Sequence, residues 1–132
     1  MIVAVHAEWY DDMRAGAYTI ALDGGVGEAF TIESWVSTEA EAWVYATMQG
    51  LLAARERVPS VEGHEILVIG DKPDLAQIVR RPYTGRLGEA VAIRDAEFPG
   101  VSYRCRRFVD RKRLRSVLRD LVLAAKAAEE AA

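Results

Sequence analysis

The chain has 132 residues, 51% hydrophobic and 28% charged, with a formal net charge of −3. These values describe one soluble globular domain, residues 1–132, long enough to bury a core. They exclude a bilayer-crossing helix, which needs roughly 20 apolar residues in a row. A single cysteine, Cys105, excludes an internal disulfide and a cysteine-built zinc site. The absence of a charged start followed by an apolar stretch and a cleavage site argues against secretion, so the expected location is cytoplasmic.

Ile2 to Glu8 runs or alternates apolar and predicts a central strand that breaks off at His6-Ala7-Glu8. Trp9 to Ala15 reads as a turn. Ala17 to Leu22 predicts a second strand, and Asp23-Gly24-Gly25 a hairpin, because adjacent glycines tolerate positive φ. Glu28 to Trp35 predicts a third strand. A long helix should open near Ser37 or Thr38 and run to Arg57, with Thr38 and Glu41 at capping-box spacing. Its apolar stripe is Val44, Met48, Leu51 and Leu52, with Arg55 on the same face.

Glu65 to Ile69 predicts an interior strand, followed by Gly70-Asp71. Pro73 should open a short helix through Val79, since proline suits a first turn. Pro82 to Gly88 looks irregular, and Leu87 to Ala96 helical. Pro99-Gly100 turns the chain into a fifth strand, Val101 to Val109. The last helix should run from Asp110 to about Glu130 on the stripe Leu114, Val117, Leu118, Leu121 and Ala125. This order predicts an α/β fold: a mixed five-stranded sheet, three strands antiparallel and then two parallel, with helices on its faces. A right-handed crossover sets the fourth strand parallel to the first. Ligands favour the carboxyl ends of such strands, where His6 and Asp71 lie.

Charge is unevenly spread. From Arg104 to Arg115, seven of twelve residues are basic: Arg104, Arg106, Arg107, Arg111, Lys112, Arg113 and Arg115. Such a run is either a solvated face or a phosphate contact. Acids crowd Asp11-Asp12 and the stretch from Glu28 to Glu41. Trp9, Trp35 and Trp43 read as packing residues, and Cys105 as inert.

Taken together, Val3-Ala-Val-His-Ala-Glu8, Thr38-Glu-Ala-Glu-Ala-Trp43 and Val68-Ile-Gly-Asp-Lys-Pro73 resemble the strand 1, helix A and strand 4 motifs of the short ribonuclease H family. The resemblance spans essentially the whole chain. It implies acids at a strand end, a helix start, a second strand end and a late helix, binding two Mg²⁺ ions that cleave the RNA strand of RNA/DNA hybrids. Glu41 and Asp71 take the second and third of these positions. The fourth is Asp110 or Asp120. The first, an aspartate in the family, is His6.

That replacement removes an anionic ligand. Imidazole suits Mn²⁺ and other transition ions better than Mg²⁺. Glu8 shares the face of His6 and could supply a carboxylate, but from roughly 6–7 Å further along the strand. The loop after the first strand also carries Asp11 and Asp12, where the family has glycine and neutral polar residues. The family's mobile histidine loop before the last helix has no counterpart. Each acid also has a structural explanation: a capping box for Glu41, and helix caps for Asp71 and Asp110. His6 could be a satisfied half-buried histidine.

Two functions follow. One is a divergent nuclease acting on RNA/DNA hybrids with Mg²⁺ or Mn²⁺ on Glu41, Asp71 and a late aspartate, with Glu8 as the candidate substitute for the missing first carboxylate. The other is a catalytically impaired module that binds nucleic acid or a protein partner. In both nucleic-acid readings Arg104, Arg106, Arg107, Arg111, Lys112 and Arg113 hold the phosphates.

Overall fold

The computed structural model describes residues 1–131. Its elements in chain order are β1 (Ile2–Tyr10), β2 (Ala15–Leu22), β3 (Glu28–Thr31), α1 (Glu39–Arg57), β4 (Leu67–Gly70), α2 (Leu75–Ile78), α3 (Gly85–Glu97), β5 (Ser102–Cys105) and α4 (Arg111–Ala131). A short 3-10 turn, Gly63–Glu65, precedes β4. The strands form one sheet in the order β3-β2-β1-β4-β5. β1 pairs antiparallel with β2, and β2 antiparallel with β3, while β1–β4 and β4–β5 are parallel. This is the expected mixed sheet. Among the described residues no helix is long and apolar enough to cross a membrane.

Strand alternation sorts β1 into two faces. Val3, Val5 and Ala7 belong to the main core beneath α1. Ala4, His6 and Glu8 look toward α4. α1 lies so close to the sheet that a Cβ at Gly50 would stand 2.8 Å from Val3 Cγ1. The buried side of α1 is therefore broad: Ala42, Trp43, Val44, Ala46, Gly50, Leu51 and Ala54. Leu52 remains exposed and Arg55 is half-exposed, so the predicted stripe was set too far round the helix. Small residues at Ala42, Ala46, Gly50 and Ala54 carry the contact instead, a pattern that counting large hydrophobes misses.

α4 covers the other face more sparingly. Leu118 and Val122 are its buried residues and rest on Ala17, with Tyr10, Met13, Ala15 and Leu121 around them. Val117, expected in the stripe, is exposed.

Several boundaries shift for a common reason. β3 stops at Thr31 rather than Trp35, because its partner β2 begins at Ala15. Ile32 N–H makes the last contact, to the Gly16 carbonyl at 2.9 Å. β5 stops at Cys105 rather than Val109, because β4 ends at Gly70, whose carbonyl accepts from Arg106 N–H at 3.0 Å. Strands of favourable composition end where their partners end. β1 continues instead to Tyr10, since β2 runs alongside it to Ala15. α3 starts at Gly85, inside the stretch read as irregular.

Candidate functional site

The carboxyl ends of β4 and β5 and the middle of β1 meet the start of α4, and His6, Asp71 and Asp110 fall around that junction. His6 is 1% exposed. Its ring lies edge-on to Trp43, with centroids 5.6 Å apart, and 6.1 Å from the Phe108 ring. The indole reaches this point because β4 ends in Gly70; a Cβ there would meet Trp43 Cζ3 at 2.9 Å. His6 Nε2 donates to Glu8 Oε1 at 2.8 Å, a polarity set by the carboxylate, which only accepts. Arg115 Nε stands 3.6 Å from the same oxygen. The other ring nitrogen, His6 Nδ1, is buried without a partner.

Asp71, just past β4, is also buried. Its Oδ2 accepts from the Phe108 backbone N–H at 3.0 Å, and its Oδ1 lies 3.9 Å from Arg111 Nη1. Asp71 thus ties down the segment between β5 and α4. It caps nothing in α2, whose N-cap residue is Asp74. Phe108 joins the two positions: its amide holds Asp71 and its ring borders His6. Composition placed Phe108 inside a strand, and no sequence signal distinguished it from a core residue.

Glu41 lies in the first turn of α1. Its Oε1 accepts from Ser37 N–H at 3.2 Å, Ser37 Oγ at 2.7 Å and Thr38 Oγ1 at 3.1 Å. Thr38 Oγ1 in turn accepts from Glu41 N–H at 3.2 Å. This is a cap with its return bond displaced one residue, to Ser37 rather than Thr38. Asp110 directly precedes α4, half-exposed, and its Oδ2 accepts from Arg113 Nη2 at 3.1 Å. Asp120 is exposed further along α4, near enough to Tyr10 to raise its pKa slightly. The two late aspartates are thus separated by nearly three helical turns, and only Asp110 borders the junction.

A two-metal centre needs several anionic oxygens converging on ions about 4 Å apart. Among the described residues no three His, Cys, Asp or Glu side chains stand together so as to hold a metal ion. Glu8 is engaged by His6 and Arg115, Glu41 by the α1 cap, and Asp71 by Phe108 and Arg111. In this arrangement the donor set does not fit Mg²⁺ or Mn²⁺.

The cations behave differently. Arg111 pairs loosely with Asp71 and Arg113 with Asp110. Arg115 and Arg119 are taken by Glu8 and Asp12. Arg104, Arg106, Arg107 and Lys112 are exposed and, among the described residues, form no ion pair. The acids of the β1–β2 turn are likewise partly occupied: Trp9 Nε1 donates to Asp11 at 3.0 Å, and Asp12 meets Arg119 at 3.1 Å.

No protein-family model matches the chain, and no curated protein matches its sequence. Solved structures do match its shape. A structure described as LC11-RNase H1 in complex with RNA/DNA hybrid superposes with a TM-score of 0.59 at 13% identity, covering 90% of this chain and 94% of that one. The protease-reverse transcriptase of prototype foamy virus gives a TM-score of 0.49 at 12% identity, over 80% of this chain and 15% of that one. The first of these, with the sheet order and crossover described above, makes the fold ribonuclease H-like.

Proposed function

We propose that this ribonuclease H-like chain is a module that grips the phosphate backbone of an RNA/DNA hybrid or related duplex without hydrolysing it. The observation that carries this reading is the contrast at the junction. The acids are spent on internal partners, while Arg104, Arg106, Arg107 and Lys112, in the stretch that runs from β5 into α4, are exposed and form no ion pair among the described residues. Guanidinium groups bind phosphate oxygens through paired N–H donors, and such contacts fix position without reading sequence. The hybrid in the LC11-RNase H1 structure supports the choice of ligand.

A second reading, RNA-strand cleavage assisted by Mg²⁺ or Mn²⁺, draws on the position of Asp71 and Glu41 at a strand end and a helix start. It requires Glu41 to leave Ser37 and Thr38, and Asp71 to leave Phe108. A titration of labelled hybrid at rising salt, run beside a cleavage assay in each metal, separates the two. The module reading expects binding that weakens steeply with salt and leaves the RNA strand intact. No binding even at low salt rejects both readings.

A further inference from the structure

A second cationic feature lies on the opposite side of β5. Strand alternation sends Tyr103 toward α3 and Arg104 the other way. Between α3, β5 and the segment after α2 is a cleft of about 550 Å³, lined by Arg80, Arg81, Arg94, Tyr83, Phe98 and Tyr103 among others.

Arg94, in the last turn of α3, has a side chain only 4% exposed. Its Nη2 donates to the Val79 carbonyl at 2.8 Å and to Asp95 Oδ1 at 2.9 Å, and its Nε donates to the same Asp95 oxygen at 3.0 Å. Nη1 is buried and has no acceptor. Guanidinium does not deprotonate in proteins, so an unfilled donor on a buried arginine is a standing desolvation cost. Asp95 is 65% exposed and its attraction is weakened by solvent.

The other arginines add charge at the same place. Arg80 and Arg94 lie over the Tyr103 ring, 6.0 and 5.7 Å from its centroid. Burial raises the Tyr103 pKa, so its phenol stays neutral and offsets neither cation. Arg81 has a long 3.7 Å pairing with Asp74, and Arg80 has no acidic partner among the described residues. Three guanidinium groups therefore share one cleft with one close carboxylate.

We propose that this cleft binds a phosphate ester of nucleotide size, with the phosphate taken by the exposed Arg80 and Arg81 and the buried Arg94 adding positive charge to the wall. A planar fork suits a phosphate better than a point charge does. The cleft falls within the usual range for small-ligand sites, roughly 300–1,000 Å³, so a phosphate alone leaves most of it empty. Tyr83 and Phe98 offer apolar wall to the body of the ester. The site does not rest on the nucleic-acid reading, and none of Arg104, Arg106, Arg107 or Lys112 lines the cleft.

The test is calorimetric titration of the full chain with inorganic phosphate and with adenosine 5′-monophosphate, alongside thermal melts. Saturable binding of the nucleotide is expected, tighter than that of phosphate, with a matching rise in melting temperature. Arg80 and Arg81 are exposed, so the double variant R80Q/R81Q should fold normally and lose about tenfold or more in affinity. The charge-matched control R57Q/K126Q should bind as the native chain does. Absence of saturable binding at millimolar probe overturns the proposal, as does an equal loss in the control. Displacement of bound hybrid by the nucleotide also overturns it, because the ligand is then competing at the junction.

Discussion

His6 Nε2 donates to Glu8 Oε1 at 2.8 Å, so the residue at the position expected to bear a metal-binding carboxylate is bonded to a carboxylate of its own strand. Their side chains share one face of β1, and the pair is sealed by Trp43, Phe108 and Arg115. A histidine that fills this space and occupies Glu8 is a structural element in its own right.

Removing Glu8 should therefore harm the fold. E8A leaves His6 buried with neither ring nitrogen partnered, and a loss of about 1–3 kcal/mol is expected in urea unfolding. R115A should cost under about 1 kcal/mol, since Arg115 is 63% exposed and its contact with Glu8 is long. Equal losses for the two variants contradict the central role given to the His6–Glu8 bond.

Glu41 should show itself as a cap. Both T38A and E41A are expected to lower stability by about 1 kcal/mol each, by loss of the bonds that satisfy the start of α1. The double variant should cost less than the sum, because the two side chains bond to one another. Denaturant midpoints with and without Mg²⁺ check this; a midpoint raised by Mg²⁺ in the native chain but not in E41A points to metal binding instead.

The unpaired cations should appear as a salt effect. Each phosphate contact contributes roughly −0.9 to the slope of log affinity against log salt on duplex DNA. Neutralising Arg104, Arg106 and Arg107 together should make the hybrid-binding slope shallower by roughly two to three. R119Q should change it little, since Arg119 is already paired with Asp12. The measurement is a binding titration across a series of salt concentrations.

Tyr10 makes the α4 contact sensitive to alkali. Its hydroxyl donates to the Arg115 carbonyl at 3.1 Å. Burial, and secondly the nearby Glu8 charge, push its pKa up to about 12 from an ordinary value of 10.0. The folded chain thus holds this proton more tightly than the unfolded chain does. The resulting stability is complete below pH 10 and is lost as pH rises through about 12. Urea midpoints should fall across that window, and less steeply in Y10F.

The sheet was legible because its signals are local and mutually consistent. The Asp23-Gly24-Gly25 hairpin, the apolar run ending in Gly70 and the helix between them allow few topologies. Asp71 follows the end of β4 and Glu41 opens α1 as the order implied, but His6, expected at a strand end, lies in the middle of β1, which runs on to Tyr10 beside β2. Their partners were not legible. The amide of Phe108 on Asp71 and the guanidinium of Arg115 near Glu8 are long-range contacts without a spacing rule. The same limit hid the unfilled donor of Arg94, which depends on Asp95 and Val79 together. The faces of α1 and α4 were misread where small residues carry the packing, since periodicity weighs size and not closeness of approach.

The most direct test of the central claim is electrophoresis of a labelled RNA/DNA hybrid incubated with the native chain and with H6D, in Mg²⁺ and in Mn²⁺. The module account predicts an intact RNA strand in every lane, because H6D restores one carboxylate while Glu41 and Asp71 stay bound to Ser37, Thr38 and Phe108. Metal-dependent cutting by either protein, abolished by E41A or D71A, would contradict it and establish a working nuclease centre.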